Sequence, residues 1–164
     1  NASGLMVTHD PEEAMSICDK VAVMNDGKIH QIDTPINLLN NPKTIFVSSF
    51  ILGNNIVNLK KNGNSYISCL GEINCSEYLK NTGIKSMSIS PKFISIKRSE
   101  SGDAIVISKE FLGEFLIYKV SINGNILRVR TDINNLLNNG DKCSLSINKN
   151  SYYFLYPGAY KEYI

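Results

Sequence analysis

The sequence predicts an α+β chain in two parts, a mixed helix-and-strand stretch over residues 1–53 and an all-β domain over 54–164. Two observations predict it. Up to Gly53, short apolar runs alternate with capped helix starts. From Asn55 on, strand-length runs recur about every eight to twelve residues, with Asn, Gly and Ser between them, as in a small all-β barrel or sandwich. A length of 164 residues suits one ordinary domain or two small ones.

Each element has its own reason. Leu5-Met6-Val7-Thr8 is apolar and β-branched, so a buried strand is expected there, ending at His9. Asp10-Pro11-Glu12-Glu13 reads as a helix start. Asp10 caps, Pro11 takes a position whose N–H would be unpaired anyway, and Glu13 is expected to complete a capping box. Ala14, Ile17, Cys18 and Val21 follow at helical spacing. Val21 to Met24 reads as a buried strand, Asp26-Gly27 as a hairpin turn, and Lys28 to Asp33 as the returning strand. Thr34-Pro35 opens a short helix carrying Ile36, Leu38 and Leu39. Asn41-Pro42 is expected to open another, with Ile45, Phe46, Ser49 and Phe50 on one face and its end near Gly53.

In the β region, strands are expected at 56–60, 65–70, 85–90, 93–97, 103–111, 114–122, 126–131, 142–147 and 152–156. Leu116, Tyr118, Val120 and Ile122 alternate with Lys119 and Ser121, as on a strand with one buried face. Leu127 and Val129 alternate with Arg128 and Arg130. Two hairpins share the pattern strand, Asn-Gly-Asn, strand, at Asn62-Gly63-Asn64 and Asn123-Gly124-Asn125. That pattern is read either as two subdomains, near 55–90 and 91–164, or as the recurrence of a common turn signal.

From His9 to Pro35 the sequence resembles the switch-histidine loop of ABC transporter ATPases. The match runs through Asp10 to Ala14, Asp19 to Ile29 and Gln31 to Pro35. It is nearest to importer ATPases with an added C-terminal domain. The second half resembles that domain, the TOBE domain, an OB-type β-barrel. The residues are Ile89-Ser90-Pro91-Lys92, Glu110-Phe111-Leu112-Gly113, Tyr118-Lys119-Val120, Leu127-Arg128-Val129-Arg130 and Gly140-Asp141. Ser90-Pro91-Lys92 departs from the family's usual Arg-Pro-Glu.

The resemblance implies that 1–53 are the end of an ABC nucleotide-binding domain and 54–164 a TOBE-type regulatory domain. It implies His9 as the catalytic residue. An imidazole at a strand end donates a hydrogen bond to a γ-phosphate oxygen and helps hold the attacking water. The Gly-x-x-x-x-Gly-Lys-Ser/Thr phosphate loop does not occur in the sequence. In the family it precedes the switch histidine, as do the signature motif and the acidic strand. The chain is therefore expected to be the C-terminal part of an importer ATPase, inactive by itself, with no cofactor of its own. The full-length protein would use ATP and Mg2+ and couple hydrolysis to uptake of an oxyanion, ferric iron, a polyamine, a phosphonate or a sugar.

The implied partners are a second copy, transmembrane permease subunits and a solute-binding protein. The implied place is cytoplasmic, peripheral on the inner face of the cell membrane. The homodimer is expected to use mainly the β region. Residues 3–52, without strand neighbours, are expected to pack on a second copy and bury Val7, Val21, Val23, Ile45 and Phe46 there.

Composition agrees with packed cores: 43% of residues are hydrophobic and 20% charged. A net charge of +2 argues against strong attraction to nucleic acid or membrane. An OB-type nucleic-acid binder would need exposed aromatics along a basic groove. The aromatics Tyr152, Tyr153, Phe154 and Tyr156 instead crowd one terminal strand. Cys18, Cys69, Cys75 and Cys143 form no Cys-x-x-Cys pair, and His9 and His30 are the two histidines. No metal site is expected, and the cysteines read as reduced thiols. The alternative function is a free-standing oxyanion- or ligand-sensing module with Lys119, Arg128 and Arg130 as anion contacts, set against their being a solvated strand face.

Overall fold

The structure, a computed structural model, describes residues 3–74, 83–148 and 153–157. Contacts divide the chain into two compact units, one up to Gly53 and one from Asn54 onward.

The first unit runs α1 (Pro11–Ile17), β1 (Val21–Asn25), β2 (Lys28–Asp33), α2 (Pro35–Asn40) and α3 (Ile45–Leu52). The β1–β2 hairpin turns at Asp26-Gly27, with φ of 49° and 73° and Asn25 opposite Lys28. Two successive positive φ values make this a type I′ turn, whose twist matches that of the strands. Val21, Val23, Leu38 and Val47 form a buried cluster, and Ala14, Met15 and Cys18 pack against it. Val21 and Val23 are thus buried within the unit's own cluster and Ile45 is buried within the chain, so the expectation that a second copy is needed to bury these three is corrected. Ile17 departs from the expected face and is 70% exposed. The expected strand at 5–8 does not form. It has no strand partner among the described residues, and Leu5 and Val7 are more than nine-tenths exposed.

Asn41-Pro42 does not open a helix either. Gln31 explains why. Its side chain is buried, its Nε2 donates to Asn41 O at 3.1 Å, and its Oε1 accepts from Lys43 N at 2.8 Å. That pair of bonds ties residues 41–43 to β2 in a non-helical link. The helix begins only at Ile45, where the Thr44 hydroxyl accepts from Val47 N at 3.2 Å. Gly53 ends it with φ of 60°, a left-handed conformation that suits glycine. Of the expected face Ile45 is buried, joined by Val47 and Ser48, whereas Phe50 is 43% exposed.

The second unit is mostly β, compatible with the expected OB-like domain. Its strands are β3 (Asn55–Asn58), β4 (Lys60–Asn62), β5 (Ser65–Ser68), β6 (Gly71–Asn74), β7 (Ser86–Ile89), β8 (Ile94–Arg98), β9 (Ala104–Phe111), β10 (Phe115–Ile122), β11 (Asn125–Asp132), β12 (Lys142–Ile147) and β13 (Tyr153–Tyr156). The sequence pattern anticipated most of them within a residue or two. It missed β6, and it merged β3 with β4. Three antiparallel sheets result, ordered β11-β10-β9-β12-β8, β13-β7-β3 and β4-β5-β6.

The split into subdomains near 55–90 and 91–164 is overturned. β7 lies between β3 and β13, so the last strand completes a sheet begun by the first. The two Asn-Gly-Asn hairpins also differ. Asn62 pairs with Ser65, so the first turn is Gly63-Asn64, and only its glycine has positive φ. Ile122 pairs with Asn125, so the second turn is Asn123-Gly124, with φ of 48° and 76°. One tripeptide thus serves two registers, because the flanking apolar residues choose which pair faces the core.

Tyr118, fully buried, joins the large core cluster with Val120, Val129, Leu137 and Cys143. Its hydroxyl donates to Asn135 O and accepts from Leu137 N at 3.0 Å. This pins the 133–138 loop over the five-stranded sheet. Tyr118→Phe would leave a buried N–H without its acceptor and should cost about 1–3 kcal/mol. Urea unfolding of the chain measures it.

In the first unit, hydrogen bonds from Asn37 Nδ2 and Thr34 N hold the Asp33 carboxyl below its usual pKa. A depressed folded pKa contributes stability above the unfolded value, about 3.9, that is lost as pH falls through the folded one. Between about pH 5 and pH 3, thermal melting should therefore show a steeper loss of stability in the natural chain than in Asp33→Asn.

Candidate functional site

His9 sits at a bend just before α1 and is exposed. The cap beside it is well made. Asp10 Oδ1 accepts from Glu12 N at 2.9 Å and from Glu13 N at 3.4 Å. The reciprocal half of the capping box is absent. Asp10 N donates instead to Thr8 Oγ1 at 3.1 Å, which leaves Glu13 no donor to reach back to. The peptide units flanking His9 are thereby held from both sides, by Thr8 before it and by Asp10 after it. His9 has no hydrogen-bond partner among the described residues. The His9 side chain is thus presented to solvent from a turn held on both sides.

The other histidine is differently placed. His30 Nδ1 lies 3.3 Å from Thr44 Oγ1, and its ring centroid is 4.9 Å from that of Phe46. It supports the start of α3.

In the β unit, Lys119, Arg128 and Arg130 do share the outward face of β10 and β11. Lys119 lies opposite Arg128, and Arg130 opposite Ile117. Their surroundings differ. Lys119 Nζ pairs with Glu110 Oε1 at 3.4 Å, with both side chains about half exposed, a geometry that contributes little. Arg130 instead stands over the Phe115 ring, 3.7 Å from its centroid.

Arg130 also lines a concavity that the sequence did not reveal. β8 and β11 approach each other at the two ends of the five-stranded sheet without forming a ladder. Asn135 Nδ2 bridges this seam by donating to Ile96 O at 3.2 Å. Above it lies an open cavity of about 540 Å³, lined among others by Lys92, Ser95, Lys97, Arg130 and Asp132. A second hollow of about 690 Å³ adjoins it beside Glu114 and Phe115. Lys97 was outside every motif, and only closure of the sheet brings it near Arg130.

Of the terminal aromatics, Tyr156 is buried and Phe154 half-buried, as core packing requires. Tyr152 lies outside the described residues. Burial pushes the thiols of Cys69 and Cys143 up in pKa, toward the unreactive protonated form. Cys75 is outside the described residues. Among the described residues, no group of three His, Cys, Asp or Glu side chains could hold a metal ion, and no helix is long and apolar enough to cross a membrane.

No protein-family model matches the chain. Sixty-three residues, 38% of the chain, are 56% identical to the spermidine/putrescine import ATP-binding protein PotA of Bacillus thuringiensis, of which they cover 18%. The corresponding protein of Desulfitobacterium hafniense is 53% identical over 53 residues, 32% of this chain and 15% of the relative. That of Trichormus variabilis is 56% identical over 52 residues, 32% and 14% of the two chains. The likeness is to importer ATP-binding subunits. The resemblance read from the sequence is therefore found again, over part of the chain. The chain spans less than a fifth of the length of these relatives.

The Asp10 cap steadies the turn that carries His9. Asp10→Ala should cost α1 about 1 kcal/mol. Hydrogen exchange at the Glu12 and Glu13 amides should quicken correspondingly, while amides in the β unit keep their rates.

Proposed function

We propose that this chain is the C-terminal part of the ATP-binding subunit of an ABC importer that takes up polyamines, spermidine and putrescine being the class. The observation that carries the reading is the 56% identity over 63 residues to a spermidine/putrescine import ATP-binding protein. The exposed, capped presentation of His9 supports it. In this reading, residues 1–53 close the nucleotide-binding domain and 54–164 form a TOBE-type regulatory domain that also dimerises. The complete protein binds ATP and Mg2+, works as a homodimer at the inner face of the membrane, and engages permease subunits and a solute-binding protein.

The chemistry assigned to this chain is confined to His9. Its imidazole would donate to the γ-phosphate and orient the attacking water in the transition state of phosphoryl transfer. The cradle for the phosphates, the metal ligands and the base would come from other parts of the ATPase. Glu12 and Glu13 follow in the first turn of α1, where the Asp10 cap occupies their N–H groups and keeps the turn rigid.

His9→Ala in the complete protein should lower turnover by about 10²-fold or more while leaving nucleotide affinity nearly unchanged, because the lost contact belongs to the transition state. Unchanged turnover would refute the role of His9. The 164-residue chain alone should show no ATP hydrolysis, since it has no phosphate loop. Uptake of labelled spermidine by the assembled transporter tests the solute class. Uptake of another solute with no response to polyamine would exclude it.

A further inference from the structure

We propose that the cavity at the β8–β11 seam binds a compact dianion, a phosphate or sulfate group, through Lys92, Lys97 and Arg130. This goes beyond the importer reading and does not depend on it, because every residue used belongs to the β unit.

The convergence of three cations on one cavity singles the site out. Two neighbouring cations are neutralised locally: Arg98 by Asp141 and Lys119 by Glu110. Lys92, Lys97 and Arg130 have no carboxylate at ion-pair distance among the described residues, yet all three line one cavity. Three like charges around one hollow repel each other, and a bound anion removes that repulsion.

Two of the three are also held in place. The Arg130 guanidinium lies 3.7 Å from the centroid of the Phe115 ring, and Lys92 Nζ lies 5.0 Å from that of Phe93. Each ring restrains its cation without consuming its hydrogen-bond donors, so less rotamer entropy is lost on binding. A guanidinium fork matches two oxygens of a phosphate or sulfate, and an ammonium adds a point charge.

The seam itself is kept open. Asn135 spans it by its bond to Ile96 O, and Ser95 donates to Asn148 Oδ1 on the cavity wall. The opposing charges are Asp132 in this cavity and Glu114 in the adjoining hollow that Lys92 and Arg130 also line, so three cations face two carboxylates. The surroundings stay net positive, and a dianion is attracted to them more strongly than a monoanion.

The test is an amide chemical-shift titration of the chain with inorganic phosphate, with ionic strength held at about 0.15 M by sodium chloride. The expected result is saturable shifts confined to residues 92–97 and 130–132, with Kd of about 1 mM. Sulfate should compete, and nitrate should compete at least about 10-fold more weakly. Arg130→Gln should weaken binding about 10-fold or more, and Lys97→Gln, far from any packed ring, by a smaller factor. Lys119→Gln should change nothing. If Arg130→Gln disturbs the fold, Lys97→Gln and Lys119→Gln carry the comparison. Shifts that do not saturate, that centre on Lys119 and Arg128, or that survive Lys97→Gln undiminished would overturn the proposal. Equal competition by nitrate would overturn the assignment to a dianion.

Discussion

The β unit depends on what the Tyr118 hydroxyl does at the centre of its core. A phenol buried among aliphatic side chains must satisfy its polar tip. Tyr118 does so with two backbone groups of one loop, Asn135 O and Leu137 N. That choice brings Leu137 into the core and sets Asn135 across the gap between β8 and β11. Lys109 Nζ adds a bond to Leu137 O at 3.2 Å from the far side of the loop. The sheet is thus closed by side chains and loop where no strand ladder exists. The cavity above the seam follows from that mode of closure, since a ladder would have drawn the two strands together.

Asn55 makes a similar substitution for a ladder at the start of the unit. Its side-chain amide donates to Arg128 O and accepts from Arg128 N, both at 2.7 Å. One amide therefore does for β11 what a neighbouring strand would do, satisfying both backbone groups of a residue on its free edge. Asn54 adds a bond to Ser88 Oγ at 3.0 Å. The polar pair Asn54-Asn55 is tied down from its first residue.

The smaller unit shows the same economy. Gln31 spends its whole amide on the backbone of residues 41–43, and so decides where α3 starts. A hairpin, three short helices and a handful of buried side chains then make a core. What this unit leaves bare is the stretch from Leu5 to His9, whose apolar side chains are exposed.

The local sequence determined a great deal by itself. Asp10-Pro11, Thr34-Pro35 and Asp26-Gly27 set caps and a turn through contacts spanning four residues or fewer, and the structure keeps them. Alternation placed Tyr118, Val120, Leu127 and Val129 inward, because a strand has a fixed period of two. The motif around His9 was legible for the same reason, being contiguous. Tertiary structure alone decided what spans long separations. It put β13 beside β7, brought Lys97 and Lys92 round to Arg130, and paired Lys119 with Glu110. It also withheld the strand at 5–8. A strand is stabilised by hydrogen bonds to a neighbour distant in sequence, and no propensity within Leu5 to Thr8 supplies that neighbour.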